Sequence, residues 1–375
     1  MIIFYFTLIL SYILFILLLH IGLKRLGPGH STAKPPVAVI VPARNEEDHI
    51  EACLHHLADQ RYPHNRYEII VVDDDSSDKT KPLTIQLAQR TNRIRYLESM
   101  PLQGDITPKK AAILTGIRAS SAEIIVTTDA DCTMSDQWLT TMISGFNPDV
   151  AAVLSWLLIK ADYRLRTQIE FFDSFAYVAA GAAFIGLNRP FLANGANFAY
   201  RKNSFQAING FNKIGTWGSG DDDLLLQKIA SETGNQIRFL TDSNAIVYTQ
   251  PCPSWRCFFR QRIRWASKSR AYRKDIKYIG SFCFIVYFTL LLGIPFHLLL
   301  GLPLWPYMLL AGTKLITDYC LIFHALKKIE KPVRLSAFLL AECLQILYLP
   351  PVAISGMIGR YKWKERSYSR GKLSN

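Results

Sequence analysis

Two aspartates one residue apart, Asp129 and Asp131, close the run Glu123-Ile124-Ile125-Val126-Thr127-Thr128-Asp129-Ala130-Asp131. The β-forming residues ahead of them predict a buried strand that delivers both carboxylates to its carboxyl end, where open α/β sheets bind ligands. In an extended chain residues i and i+2 point to the same side, so both acids can face one cation. A hard divalent ion such as Mg²⁺, held by one or two carboxylates and completed by phosphate oxygens and water, needs little more from the protein. An isolated Asp-x-Asp is more often an Asp-rich turn. The other chemistry-bearing residues must therefore decide.

Four further clusters stand out. Asp73-Asp74-Asp75-Ser76-Ser77-Asp78 follows an apolar run. An ionised carboxylate there can accept hydrogen bonds from a nucleobase N–H or ribose hydroxyls, and an Asx turn capping the next helix is the competing reading. Lys109 and Lys110 open a helical stretch, where the dipole does not favour a cation, so they read equally as a phosphate contact or a solvated pair. Asp221-Asp222-Asp223 precedes Leu224-Leu225-Leu226. Acids are favoured at a helix N-terminus, but one that faced Asp129 and Asp131 across a cleft could take a proton from an attacking hydroxyl. Between Phe258 and Tyr272, Arg260, Arg262, Arg264, Lys268 and Arg270 alternate with Phe258, Phe259, Trp265 and Tyr272. That mixture predicts an amphipathic helix in a headgroup region, with Arg264 and Trp265 available to a site wall.

The elements that must position these groups alternate between strand and helix. Strands are predicted at Val37–Pro42, Tyr67–Val72, Ile94–Leu97 and the run ending at Asp129, with helices at Asp48–Ala58, Thr80–Arg90 and Lys109–Ala119. This spacing implies an α/β domain with a mostly parallel sheet covered on both faces. No repeat or low-complexity linker divides it, and one domain is expected over residues 28–250.

Around it lie apolar stretches. The chain has 375 residues, a formal net charge of +13 and 50% hydrophobic residues. Met1–Leu23 carries no charge and matches the about 20 residues that a bilayer span needs. Lys24 and Arg25 follow it, so residues 1–27 are expected to be an anchor with its basic end on the cytoplasmic side. Residues 251–278 form the interfacial segment, and further spans are expected at Ile279–Leu300, Leu304–Leu326 and Leu335–Ile358. Lys314 and Asp318 in the middle one stand i and i+4 and can pair. Pro350-Pro351 in the last suggests a broken or re-entrant helix. Three clean crossings would put the basic tail, residues 359–375 with Arg360, Lys362, Lys364, Arg366, Arg370 and Lys372, outside, against the rule that basic flanks stay inside. One C-terminal segment is therefore expected not to cross fully. The seven cysteines include no C-x-x-C pair, and neither structural zinc nor disulfides are expected. No nucleic-acid-binding motif accompanies the positive charge, and membrane proximity accounts for it.

In order along the chain, Val39-Ile40-Val41-Pro42-Ala43-Arg44-Asn45-Glu46-Glu47, Val72-Asp73-Asp74, Lys110-Ala111-Ala112, Asp129-Ala130-Asp131, Asp221-Asp222 and Gln261-Arg262-Ile263-Arg264-Trp265 resemble the motifs of the inverting family 2 glycosyltransferases. The resemblance is to the membrane-embedded branch that includes cellulose, chitin and hyaluronan synthases and ceramide glucosyltransferase, and it covers about residues 37–268. It implies a GT-A fold. By that resemblance Pro42, Arg44, Glu46, Asp73, Asp74, Lys110 and Asp129 contact a nucleotide sugar, with uridine the implied base. Asp129 and Asp131 hold Mg²⁺ or Mn²⁺ on the diphosphate. Asp222 or its neighbour Asp221 is the catalytic base, because Asp221-Asp222-Asp223 replaces the family's Glu-Asp and leaves the alignment open by one residue. Gln261, Arg264 and Trp265 close over the diphosphate and the acceptor end, and Asn194-Gly195-Ala196-Asn197 reads either as amides near the acceptor or as a plain turn.

The implied reaction is a single displacement by a lipid, lipid-linked or glycan acceptor at the cytoplasmic face of the cell inner membrane. Two other readings remain at this point. One is a processive polysaccharide synthase, acting as an oligomer or with an export partner. The other is a non-catalytic scaffold in an export complex, against which the clustered acids count, since like charges held together are costly.

Overall fold

The computed structural model of the protein describes residues 1–100, 106–363, 366–369 and 371–373; Lys364 and Arg370 lie outside the described residues. An apolar helix, α1 (Ile2–Lys24), leads into β1 (Val37–Ala43), α2 (Ile50–Ala58), β2 (Tyr67–Asp73), α3 (Thr80–Arg90), β3 (Ile94–Glu98), α4 (Pro108–Ala119) and β4 (Ile124–Thr127). The predicted alternation is present with its boundaries within about two residues. β1 lies between β2 and β4 in parallel register, with Val39 opposite both Ile69 and Val126. Their unbroken apolar runs follow from burial on both faces.

The second half is less regular. It contains β5 (Thr133–Met134), α5 (Trp138–Ile143), β6 (Val150–Leu154), β7 (Leu157–Ile159), α6 (Leu165–Gly186), β8 (Phe198–Arg201), α7 (Lys202–Ala207), α8 (Asp223–Glu232), β9 (Gln236–Phe239) and β10 (Val247–Thr249). The main sheet runs β3-β2-β1-β4-β8-β6-β9, and β8 is antiparallel to both of its neighbours. A small sheet, β5-β10-β7, stands beside it. The whole is the α/β, mostly parallel architecture expected of a GT-A domain.

Beyond the body come α9 (Trp255–Ser267), α10 (Lys274–Leu299), α11 (Trp305–Lys327), α12 (Leu335–Ile358) and an antiparallel tail of β11 (Arg360–Trp363), β12 (Arg366–Ser369) and β13 (Lys372–Leu373). Among the described residues five helices, α1, α6, α10, α11 and α12, are long and apolar enough to cross a membrane. The sequence reading named four. The added one, α6, is two-thirds buried inside the protein, against 22% for α10. It packs on β7, α1 and α12 as a core helix. Its crossing with α1 requires glycine, because a Cβ on Gly22 would lie 2.0 Å from the Ala183 carbonyl oxygen.

The expected break at Pro350-Pro351 is absent, and α12 runs through both prolines. Its C-terminal end packs against α9, where Gly356 meets Ala266. The expected Lys314–Asp318 pair forms at 2.8 Å. Glu342 of α12 also reaches Lys314, and Tyr12 donates to Asp318 at 2.6 Å. Charges among apolar helices persist only when paired in this way.

Candidate active site

β1, β2 and β4 end on one side of the sheet, and their carboxyl ends form one wall of a cleft that loops 193–196 and 218–222 and helix α9 complete. Eleven of the sequence-predicted site residues line it: Pro42, Arg44, Glu46, Asp74, Asp129, Asp131, Asp221, Asp222, Gln261, Arg264 and Trp265. Asp73 and Lys110 do not.

The loops after β1 and β2 hold each other. Arg44 Nη1 donates to the Asp74 carbonyl oxygen at 2.7 Å, and Asn45 Oδ1 accepts from the Ser77 amide at 2.9 Å. Asn45 (φ 51°) and Asp75 (φ 62°) take left-handed conformations that Asn and Asp tolerate. Here the Asx-turn reading holds for part of the acidic run. Asp73 accepts from Ser76 Oγ at 2.5 Å and Tyr96 Oη at 3.3 Å beneath the wall, and Asp78 accepts from the Thr80 amide at 2.9 Å. Only Asp74 turns its carboxylate toward the cleft, where Arg366 meets it at 2.5 and 3.1 Å.

Across from this loop pair the cleft is acidic with a lysine at its centre. Lys109 Nζ lies 2.8 Å from Asp129 Oδ1 and 3.1 Å from Asp221 Oδ2. Burial works against its charge, but the two carboxylates hold the ammonium above its usual value. Asp221 is buried yet held well below the usual carboxylate range by Lys109, Lys110 and Arg264. Asp131 Oδ2 accepts from Thr249 Oγ1 at 2.8 Å. The helix-opening pair thus divides its work. Lys109 faces the cleft, whereas Lys110 is buried and donates to the carbonyls of Trp217 (2.5 Å) and Ser219 (2.9 Å), tying down the loop that presents the acids. Burial pulls Lys110 down to about 8.

Gly220, with φ +85°, turns the chain so that the three acids diverge. Asp221 meets Lys109. Asp223 is fully buried and accepts from Tyr177 Oη (2.7 Å), Tyr272 Oη (2.5 Å), the Ala193 amide (2.7 Å) and Lys268 (2.7 Å). Asp222 caps α8, its Oδ1 accepting from the Asp223 amide at 2.7 Å and from Lys268 at 3.2 Å. Burial, opposed by Lys268 and helped by Asp223 and Asp221, raises the Asp222 pKa. A cleft-lining carboxylate with a raised pKa beside a lysine is suited to accepting a proton.

On α9 the buried cation is Arg262, not Arg264. It donates to Asp173 (2.6 Å), Ser174 (2.8 Å) and Gln261 Oε1 (2.6 Å), and packs between the rings of Phe258 and Trp265. Gln345 carries the contact on from Asp173 into α12 at 3.1 Å. Arg264 reaches Ser219 Oγ at 3.4 Å on the cleft side.

Sequence reasoning left Lys109 open between a phosphate contact and a solvated pair, and it did not select Lys268, Asp223 or Arg366 as site residues. Lys268 stands four residues after Arg264, a helical-face signal that was readable. The Arg366–Asp74 contact spans 292 residues and leaves no such trace. Among the described residues no group of three or more metal-ligating side chains gathers. Asp129 and Asp131, the pair that the sequence offered for a cation, both line the cleft. Two carboxylates beside an open cleft fit a hard divalent ion that completes its shell with phosphate oxygens and water.

Two family profiles match the chain. Glycosyl transferase family 2 matches residues 38–208, and Glycosyl transferase family group 2 matches residues 124–329. The chain is similar to the probable glycosyltransferase YdaM of Bacillus subtilis, at 28% identity over 237 residues, covering 62% of this chain and 54% of that protein. It is 37% identical to the glycosyltransferase AglE of Haloferax volcanii over 119 residues, 31% of this chain and 38% of AglE. A beta-monoglucosyldiacylglycerol synthase of Trichormus variabilis is 31% identical over 113 residues, 30% of this chain and 24% of the synthase. The chain thus spans about half the length of the first of these relatives and less of the others. The solved mannosyltransferase PcManGT from Pyrobaculum calidifontis, in complex with GDP-Man and Mn²⁺, shares the fold over 94% of both chains, with a TM-score of 0.55 at 20% identity.

Proposed function

Because the chain belongs to glycosyltransferase family 2, its family group 2 match alone covering residues 124–329, we propose that the cleft moves a sugar from a nucleotide diphosphate donor to a lipid or lipid-linked acceptor. One observation carries this reading. Asp129, Asp131, Asp221 and Asp222 line one cleft, and Lys109 bridges Asp129 to Asp221.

Asp74 and Arg44 bind the nucleoside, and Pro42 and Glu46 shape that end of the cleft. When bound to Asp129 and Asp131, Mg²⁺ or Mn²⁺ supplies charge neutralisation at the diphosphate. Lys109 and Arg264 add positive charge where the leaving group gains negative charge, which favours the transition state over the ground state. Asp222 takes the proton from the acceptor hydroxyl as that oxygen attacks the anomeric carbon, and the anomeric configuration inverts. Lys268 orients the Asp222 carboxylate through Oδ1, leaving Oδ2 to receive the proton. Asp221 serves the donor side by holding Lys109, and Asp223 and Lys110 fix the loop. Gln261 and Trp265 close the acceptor end, and Asn194, Gly195 and Ala196 line the same wall.

Leu157, Ile159, Val178 and Trp265 give this cleft an apolar side next to α6 and α9. That surface favours an acceptor held in the lipid phase over a long soluble chain. The Arg366–Asp74 contact puts the tail on the side of the α/β body, and three helices separate the two. An odd number of full crossings cannot return the chain to the same side, so one of α10, α11 and α12 stays partly at the interface. We assign that place to α12, which packs along α9. Lys24 and Arg25 then put the body on the cytoplasmic face.

The test is release of nucleoside diphosphate by purified protein in detergent, from a panel of nucleotide sugars with Mg²⁺ or Mn²⁺ and a membrane lipid extract. Release from one donor, abolished by chelator and by Asp131→Ala, is the expected result. If no donor is bound or turned over with lipid present, the transferase reading is wrong and a scaffold role replaces it.

A further inference from the structure

Helices α1 and α11 run side by side in the same direction. Phe6 meets Trp305 with ring centroids 6.2 Å apart, Tyr12 donates to Asp318, and His20 stacks on His324 with centroids 5.5 Å apart and planes 25° from parallel. Their carboxyl ends therefore lie together, and each brings cations, Lys24 and Arg25 from α1 and Lys327 and Lys328 from α11. Past these ends the chain meets the α/β body, Gly27 bridging Leu240 and Lys331 lying over the Tyr248 ring at 5.6 Å. The helix dipole favours a cation at a C-terminus, which accounts for each end alone but not for two gathered ends. Lys24, Lys327 and Lys328 all act on His324 as nearby charges. Among the described residues none of the four cations pairs with a carboxylate, and Glu330, two residues beyond Lys328, is exposed. Lys328 is partly buried, and burial pulls its ammonium down with no carboxylate to oppose it. His20 Nδ1 donates to the Ile16 carbonyl at 3.1 Å, which leaves Nε2 for an outside partner. Away from this end both helices carry exposed apolar side chains, Leu14, Leu17 and Ile21 on α1 and Ile316 and Phe323 on α11.

We propose that the joined ends of α1 and α11 bind the headgroup of an anionic phospholipid, its phosphate among His20, Lys24, His324 and Lys328 and its acyl chains along the exposed apolar faces of the two helices. Both halves of such a molecule are matched, the phosphate by cations without a paired acid and the chains by an apolar shaft. Basic pockets between membrane helices recognise anionic headgroups in this way. A zwitterionic lipid brings its own ammonium into the cluster and gains less. The bound lipid clamps α1 to α11 within one turn of Gly22, where α1 crosses α6, and α6 carries Tyr177 and Val178 into the cleft wall. Lipid at this seam therefore steadies the helix behind the site. The inference rests on α1 and α11 as membrane spans and not on the transfer reaction.

The experiment uses the full chain in an uncharged detergent, with dioleoyl phosphatidylglycerol, dioleoyl phosphatidylcholine and inorganic phosphate as probes. Native mass spectrometry across a lipid titration measures binding, and thermal unfolding measures its effect. The wild type is expected to hold phosphatidylglycerol about tenfold or more tightly than phosphatidylcholine and to melt higher with it, and phosphate alone should change little. Lys24→Gln/Lys328→Gln should lose that preference about tenfold or more. Lys328→Arg, which keeps the charge, should retain it. Arg256→Gln/Lys277→Gln, which removes two exposed cations at the starts of α9 and α10, should leave it within about twofold of wild type. An equal loss in the two double variants makes the effect one of diffuse surface charge and overturns the site. So does a wild type without preference for phosphatidylglycerol, and stabilisation by inorganic phosphate as large as that by the lipid refutes a lipid occupant. Protein that holds phosphatidylglycerol at this seam yet turns over no nucleotide sugar upholds the lipid site while the transferase reading fails.

Discussion

Replacing Lys109 by methionine separates a structural lysine from one that shares its place with a metal. Its Nζ bridges Asp129, whose side chain is 39% exposed, and Asp221, which is 7% exposed. The Asp129 half is open to water, and such pairs contribute about 0–1 kcal/mol. An uncompensated buried carboxylate costs about 3–5 kcal/mol. Asp221 keeps Lys110 and Arg264 as neighbouring charges, so the whole loss is expected to be about 1–3 kcal/mol. A divalent cation on Asp129 and Asp131 restores the missing charge. At a hundred times its dissociation constant a ligand stabilises by about 2.7 kcal/mol. In the wild type part of that gain is offset by displacing Lys109 from Asp129. Thermal unfolding in detergent across a MnCl₂ titration therefore has a clear signature. Lys109→Met melts lower without metal and gains more from Mn²⁺ than the wild type, while Asp131→Ala gains little. Equal gains in wild type and Lys109→Met refute competition between lysine and metal.

The remaining predictions concern the acids and the α9 helix. Asp222→Asn should lower kcat by about 10²–10⁴, the usual worth of a general base, with donor affinity within about threefold of wild type; Asp221→Asn should act mainly on donor and metal affinity, and steady-state kinetics with calorimetry distinguish the two. The raised Asp222 pKa sets a sign for pH. A base works unprotonated, so kcat/KM rises through that pKa, and its acid limb in a rate–pH profile should lie above the usual aspartate value of about 3.9. Asp173→Asn strips a 5%-exposed Arg262 of its carboxylate. It should cost about 3–5 kcal/mol in unfolding free energy and lower kcat, because Arg262 holds Gln261.

The parallel half of the sheet was legible because strands buried on both faces write continuous apolar runs, as in Val37–Val41 and Ile69–Val72. The cleft followed from the same logic, since strand ends locate ligands in such sheets. What stayed hidden depends on contacts between distant segments. Whether Lys109 or Lys110 faces the cleft turns on one residue of helical phase, about 100°, at a helix start where neither is marked by composition. The roles within Asp221-Asp222-Asp223 hang on the left-handed Gly220 and on tyrosines supplied by α6 and the segment after α9. Helix α6 escaped because its apolar residues are interrupted by Glu170 and Asp173, acids that the fold pairs with Arg166 and Arg262. The tail was read for its charge alone, and no local pattern could connect Arg366 to Asp74.

The most direct test of the central claim is transfer of labelled sugar, from whichever donor the panel selects, into a membrane lipid extract by wild type and Asp222→Asn at matched donor occupancy. The predicted result is label in the organic phase for the wild type and a loss of about a hundredfold or more for Asp222→Asn, with bound donor unchanged. Transfer by Asp222→Asn near the wild-type rate would contradict the assignment of the base. Label recovered only in long water-soluble chains would contradict the lipid acceptor.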